Sequence, residues 1–463
     1  MLAASALTAC ASVPDLGPQA KAKPAAAYDS AQSFAAPTAA WPQDAWWAAY
    51  GDAQLSGLIE EALQGSPTMA AAQARVRKAD ALAEQAGAAL KPSVSASGSV
   101  SATGIETGSQ FGSTIPNKIT GIGYGILSGS FDFDLWGRNR ATLAAATSEA
   151  EAARADAAEA RLTLSTAVAS AYADLAQLYA GLDAAKDALK VRSQTVDLLG
   201  QRFKNGLENR GAGQQAEASQ AQAEGDIVAL QEAIGLNQNR IAALLGAGPD
   251  RGLGIGRPSA APRHAFGLPA QLQADLLGRR PDVVAARLRA EAAVSRTKEA
   301  KAAFYPNVNL SVLAGAASLN LSALSASALG FANVGPAISL PIFDGGRLAG
   351  QYKGARADHD AAVAEYDRTV TGAFHDVADV AVSQRALAAR LGHARDALAA
   401  AEAAHKIALD RYQGGLSPYL DVLRAEDLLI TSRRSVADLE TRAFTLDVAL
   451  VRALGGGFTT DHA

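Results

Sequence analysis

Apolar positions along this chain recur with two periods, and the points where one period replaces the other mark its elements. In SGSFDFDLWGRNRATL, residues 128–143, and in ISLPIFDGGRLAGQ, residues 338–351, strict alternation stops at an acid and helical spacing takes over. The alternating stretches before these switches predict strands over residues 91–104, 119–135, 304–316 and 334–343. Val94, Ala96, Gly98 and Val100 alternate with Ser93, Ser95, Ser97, Ser99 and Ser101, and Leu127, Gly129, Phe131 and Phe133 with Ser128, Ser130 and Asp132. After the switches, Leu164, Val168, Ala171, Leu175, Leu178, Leu182, Ala185 and Leu189 fall four and three apart by turns, the seam of helices wound as in a coiled coil. No proline interrupts residues 139–204, which predicts a helix of roughly 100 Å at about 1.5 Å per residue.

The chain is a direct repeat. SPTMAAAQARVRKADA matches RPDVVAARLRAEAAVS with 281 − 67 = 214, and QRFKNGL matches DRYQGGL with 411 − 202 = 209. The second copy keeps the seam through Ala373, Val377, Val380, Leu387, Leu391, Leu398 and Tyr412. Each copy is predicted to run helix, strand, loop, strand, very long helix, loop, long helix. Domain bounds follow: 46–250 as repeat 1 with a hairpin over 91–135, 251–268 as a glycine-rich linker, 269–457 as repeat 2 with a hairpin over 304–343, and 458–463 as a tail.

Alternating strands of about ten residues suit a membrane barrel, with one face to lipid and one to a polar lumen, although one layer of a soluble antiparallel sheet has the same period. The long Gly/Ser/Asn-rich loops between paired strands favour the membrane. Two lone hairpins are marginal in water, and four strands are too few to close a barrel, so on this reading the chain must oligomerise. Asp134 and Gly137 in one copy, and Asp344, Gly345 and Gly346 in the other, are expected at the membrane interface, where the chain turns and an acid favours the new helix N-terminus.

Composition narrows the choice. A net charge of −4 with 19% charged residues supplies no basic field for nucleic acid. The single cysteine, Cys10, excludes an intramolecular disulfide framework and any cysteine-based metal cluster. LTAC before an Ala/Pro/Ser-rich stretch resembles a bacterial lipobox, so residues 1–9 are expected to be the remnant of a signal peptide, Cys10 the acylated residue, and 10–45 a lipidated flexible segment. Catalytic signals are weak. HDVAD, 375–379, lacks the second histidine of a zinc-protease helix, GLGIG lacks the strand a phosphate cradle needs, and no enzyme activity, cofactor or metal is expected.

WWAAYGDAQLSGLIEEAL, LLGRRPDVVAARLRAEAA, FYPNVNLS, LPIFDGGR and RYQGGLSPYLDVLRAEDLL together resemble the outer-membrane efflux proteins of the TolC class, in the OprM/NodT-type lipoprotein branch, from about Trp46 to Gly457. The resemblance implies a homotrimer in which four strands per chain close a twelve-stranded barrel in outer-membrane lipid, continued by a periplasmic α-helical barrel. It also implies two partners, a periplasmic adaptor and an inner-membrane pump of the resistance-nodulation-division type, served by a passive exit duct for drugs and other small molecules. The helical tips, 202–217 and 411–427, would form the gate and receive the adaptor. By that resemblance Arg202, Phe203, Gly206, Arg411, Tyr412, Gly415, Leu420, Asp421 and Arg424 are the tip residues of interest, with Leu420 as the constriction. Arg424 stands where relatives often carry an acid, which Asp421 or Glu426 would have to replace. Gly211 and Gly213 are expected to loosen the first tip. A duct for a protein-secreting pump and a structural coiled-coil protein remain as alternatives.

Overall fold

The computed structural model describes residues 13–104, 119–259, 267–318 and 329–459. The two copies yield matching elements. Repeat 1 contains α1 (Ala53–Gly65), α2 (Pro67–Ala88), β1 (Ser93–Gly104), β2 (Ile119–Asp132), α3 (Arg138–Lys204) and α4 (Arg210–Leu244). A short α5 (Asp250–Leu253) leads to α6 (Leu272–Arg279), α7 (Pro281–Ala302), β3 (Asn307–Ser318), β4 (Leu329–Ser339), α8 (Arg347–Gln413) and α9 (Tyr419–Ala453). α3 and α8 are 67 residues each, and α4 and α9 are 35. None of the described helices is long and apolar enough to cross a membrane.

The chain divides into two compact units. The first joins residues up to Ala22 with Val76–Ala152 and Ala286–Tyr366. Its centre is a single antiparallel sheet in the order β1-β2-β3-β4. The two lone hairpins expected from the sequence are therefore joined into one sheet. β2 and β3 pair from Gly123↔Ser318 to Asp132↔Asn309, which satisfies the inner backbone groups of both. Only β1 and β4 are left with one partner each among the described residues.

The strands are also placed differently at their ends. β2 stops at Asp132 rather than 135, β3 starts at Asn307 rather than 304, and β4 spans Leu329–Ser339 rather than 334–343. Leu340 and Ile342 carry the alternation onward, but Pro341 between them has no N–H to give a ladder.

The register sorts the side chains by polarity. Val94, Gly129, Val312 and Val334 lie in one row across the sheet, and Ala96, Leu127, Ala314 and Ala332 in the next row on that face. The opposite face carries Ser93, Ser130 and Ser311 in one row and Ser95, Ser128, Leu313 and Asn333 in another. Ser93 and Ser130 hydroxyl oxygens are 2.9 Å apart, and those of Ser95 and Ser128 2.8 Å. On the apolar face Val94 and Ile338 are each 71% exposed and Val334 69%, so much of that face is left open by the described residues.

The second unit, Lys23–Arg75, Ala153–Ala285 and onward from Asp367, holds the main core. Trp46, Trp47, Tyr50, Leu55, Leu58 and Ile59 pack on Val168, Tyr172 and Leu175 of α3, Ile241 of α4, and Phe444 and Val448 of α9. Asp52 caps α1, accepting from Gln54 N at 2.9 Å and Leu55 N at 3.1 Å, and takes the Tyr172 hydroxyl at 2.8 Å.

The stretch expected to be a linker belongs to this packing. Ile255 is buried in the core, and its carbonyl accepts from Gln238 Nε2 at 2.7 Å. The segment expected to be flexible is tied down from residue 13 onward. In the first unit Ala20 N donates to Asp360 and the Arg356 guanidinium donates to the Pro18 carbonyl. In the second, Lys23 N donates to Asp367, and Tyr28 and Phe34 pack on Phe374. A segment too short of apolar residues for its own core is held through its main chain instead.

The RRPD motif and the terminal glycines meet here. Arg280 pairs with Asp282 at 2.7 Å and with Asp376 at 2.8 Å, and donates to the Ala453 carbonyl at 3.3 Å. HDVAD therefore contributes a structural partner for Arg280 through Asp376. Gly455 has φ +88°, and a Cβ there would lie 1.9 Å from the Arg279 carbonyl oxygen. Gly345 has φ +63° in open surroundings. Gly455→Ala should therefore cost several kcal/mol and sharply reduce folded protein, whereas Gly345→Ala should cost only about 1 kcal/mol of left-handed strain. Apparent Tm and yield of the two variants check this.

Candidate functional sites at the strand-to-helix turns and the helical tips

Two carboxylates close the strand-to-helix turns. Asp134, at φ +47° and buried, accepts Asn139 N at 2.8 Å on one oxygen and Arg140 N at 2.9 Å and Nε at 3.1 Å on the other. Asp344 accepts Gly346 N at 3.0 Å and Leu348 N at 2.8 Å. Asn139 and Leu348 are equivalent in the repeat, so both acids satisfy the same orphan amide of their long helix. Burial pushes Asp134 up, but the two backbone N–H donors and the Arg140 guanidinium outweigh it and hold the carboxyl below its usual range. Asp344 is lowered by the Leu348 and Gly346 amides and the nearby Arg347 charge. Gly137, Gly345 and Gly346 all have positive φ.

Aromatic residues collect at these turns, a feature the periodicity did not bring out. Trp136 stacks on Tyr305 with centroids 4.8 Å apart and donates to the Pro306 carbonyl at 2.7 Å. Phe133 and Phe343 are exposed, the latter at 91%. Amphipathic rings at the end of an apolar band are what a lipid–water boundary favours. The signal lay in DLWG, FYP and PIFDG, where aromatics stand at the ends of alternating stretches.

The tips end identically in both copies. Leu207 N bonds the Arg202 carbonyl at 2.8 Å and Gly206 N the Phe203 carbonyl at 2.9 Å; Leu416 N bonds Arg411 at 2.9 Å and Gly415 N bonds Tyr412 at 3.0 Å. With φ +70° at Gly206 and +72° at Gly415, each is a Schellman cap. Asn209 caps α4 through the Ala212 amide at 3.0 Å. The first tip forms a regular, side-chain-capped helix start. Gly211 and Gly213 lie within its first turn, and a Cβ at 211 would come 3.0 Å from the capping oxygen.

Between the tips, Arg202 lies over the Tyr412 ring at 4.6 Å and donates to the Gln413 carbonyl at 3.3 Å. The Tyr412 hydroxyl donates to Glu208 at 2.5 Å, and Tyr412 packs with Leu199, Ala212, Ala216, Tyr419, Val422 and Leu423. Burial and the Glu208 carboxylate push the Tyr412 phenol up. The other expected residues stay on the surface. Phe203, Arg411, Leu420, Asp421 and Arg424 are exposed, and the side chains of Arg411, Asp421 and Arg424 make no hydrogen bond or ion pair among the described residues. Cys10 lies outside them.

One acid near the tip is buried. Glu426, 1% exposed, accepts the Thr195 hydroxyl at 3.0 Å and lies 3.6 Å from Arg192 Nε. Arg192 also reaches Asp427 at 3.4 Å and the Ser219 carbonyl at 2.6 Å, so α3, α4 and α9 are joined through one guanidinium. Burial raises Glu426, and the opposing pull of Thr195 and Arg192 does not cancel it.

A four-stranded sheet with one exposed apolar face, ended by aromatics and joined to 67-residue helices, defines the class: a subunit of an outer-membrane channel. The chain belongs to the outer membrane efflux protein family, whose profile matches residues 58–247 and 272–456, one segment in each copy. It is 37% identical over 365 residues to the fusaric acid resistance protein FusA of Burkholderia cepacia, covering 77% of this chain and 68% of that protein. It is 32% identical over 436 residues to the multidrug resistance outer membrane protein MdtP of Escherichia coli K12, covering 90% and 87%. The crystal structure of the outer membrane protein VceC of Vibrio cholerae superposes with a TM-score of 0.84 at 44% identity, over 90% of this chain and all of that one.

The raised Glu426 sets a sign for pH dependence. Above the ordinary value of 4.5 the unfolded chain has released this proton while the folded tip still holds it, so this group's contribution to stability falls as pH rises through the raised value. Glu426→Gln should flatten that slope in apparent Tm above pH 4.5, and Glu426→Ala should flatten it as well while costing up to about 3 kcal/mol, because it also leaves Arg192 with only Asp427 and the Ser219 carbonyl. An unchanged slope in the glutamine variant would refute the assignment.

Proposed function

We propose that three copies of this chain close a twelve-stranded barrel in the outer membrane and form the exit duct of a tripartite small-molecule efflux system. The observation that carries this reading is the sheet: among the described residues much of its apolar face is exposed, and β1 and β4 each have an unpaired edge. Open edges are not tolerated in lipid, and copies of the same sheet are the simplest means of pairing them. Long helices rising from each strand pair then surround a common axis.

In this reading Asp134, Gly137, Asp344, Gly345 and Gly346 mark the inner boundary of the membrane, and Cys10 is acylated and anchors the chain beside the barrel. The tips form the periplasmic gate, with Leu420 as the constriction and Asp421 and Arg424 as its polar lining. They also offer the surface for a periplasmic adaptor, which joins the duct to an inner-membrane pump of the resistance-nodulation-division type. The duct itself is passive and carries no catalytic group. FusA and MdtP bear names of resistance to small molecules, which supports drug efflux over protein secretion.

Two measurements test this. Leu420→Ala with Arg424→Ala should raise uptake of large antibiotics several-fold in cells lacking the pump, and unchanged permeability would remove the gate from these residues. Cys10→Ser should lose the acyl mass from the mature protein while the detergent-extracted complex keeps the mass of a trimer; an unmodified wild-type N-terminus would refute the anchor.

A further inference from the structure

The tip contact seen within the chain is one half of a pair that the repeat generates twice. The offset of 209 that relates the two tips carries Arg202 to Arg411, Tyr412 back to Phe203, and Glu208 to Ser417. The first set is assembled: Arg202 covers the Tyr412 ring at 4.6 Å, and the Tyr412 hydroxyl bonds Glu208 at 2.5 Å. The second set is not. Phe203 is 52% exposed, the Arg411 side chain is exposed with no hydrogen bond or ion pair among the described residues, and the buried Ser417 hydroxyl has no partner there. Both tips have the same backbone, down to the hydrogen bonds of the caps. Equal backbones that carry arginine and an aromatic ring at equal positions present the same docking geometry on their free sides.

We propose that Arg411 of one copy covers the ring of Phe203 of the partner subunit, and that the tip parts first at these between-chain junctions. The proposal rests on the ring of copies put forward above. Each junction would contain an arginine over an aromatic ring, but only the within-chain one has a hydroxyl to give and a carboxylate to receive it. Phenylalanine at 203 and serine at 417 remove both halves of that charge-assisted bond. The ring of hairpins therefore alternates between pinned junctions and junctions held by packing alone, and a force that spreads the tips separates the latter.

A short bismaleimide applied to the full chain in outer membranes tests the placement. Phe203→Cys with Arg411→Cys should give covalent dimers and trimers on a denaturing gel, and each single variant should not. Monomer bands alone, from protein whose two cysteines react with a monofunctional maleimide and whose native mass is that of a trimer, would overturn the junction while leaving the duct intact. A native mass of one chain would overturn both. The ordering of the junctions is tested by Phe203→Tyr with Ser417→Glu, which supplies the missing bond. The ring gains one such bond at each of its three between-chain junctions, so open probability in planar bilayers should fall at least about tenfold, the size expected of a single charge-assisted hydrogen bond. An unchanged open probability would refute the weaker junction.

Discussion

Backbone amides at the edge of a sheet have nowhere to go in hydrocarbon, and the cost of each unmet group is several kcal/mol. That constraint governs the rest of this molecule. One face of its sheet is valine, alanine and leucine, the other is rich in serine and asparagine with Ile126, Leu313 and Phe331 among them, and β1 and β4 each carry a row of groups unpaired among the described residues. A soluble protein would cover such a face with a helix or close the sheet on itself, and the family places this sheet in the outer membrane instead. In the proposed ring the edge that would promote aggregation elsewhere becomes the joint between copies.

The repeat lets one pattern build both halves of a subunit, and its departures from identity are informative. Asp134 and Asp344 reach equivalent amides from positions that differ by one in the register; both turns keep a left-handed glycine, Gly137 or Gly346, and the second left-handed residue is Asp134 itself in one and Gly345 in the other. The cap is preserved although the turn is not. At the tips the reverse holds: the backbone is the same, and Tyr412 against Phe203 and Glu208 against Ser417 supply the difference.

The helices and the repeat were legible because their signals are long. α3 matches the proline-free run to within a residue, and α7 begins 214 residues after α2 as the motif match requires. The pairing of β2 with β3 was not legible, since alternation gives a strand's faces and not its neighbour. The order of the N-terminal segment escaped because it rests on main-chain bonds to Asp360 and Asp367 and on two isolated rings, Tyr28 and Phe34, which set no periodic pattern. At the tips the sequence marked Arg202 and Tyr412, which meet. It mentioned Glu426 only as a substitute acid, and burial and a charge partner 234 residues away are invisible to local pattern.

Alanine-rich seams explain why those buried polar groups are tolerated. Small residues at seam positions such as Ala171, Ala185, Ala373 and Ala401 let helices approach closely, but they interlock weakly, and neighbouring registers differ little in packing energy. Polar groups do not share that indifference. Asn237 stands buried in the α4 seam with its carbonyl oxygen unpartnered among the described residues, and Glu426 meets Arg192 and Thr195 only in one alignment of α9 on α3. A shift by one turn would leave a carboxylate buried without its hydroxyl or its guanidinium, at a cost larger than any gain from alanine packing. These groups contribute little net stability and fix the register instead, so that two long, nearly featureless helical hairpins bring Arg202 over Tyr412 rather than one turn above or below it.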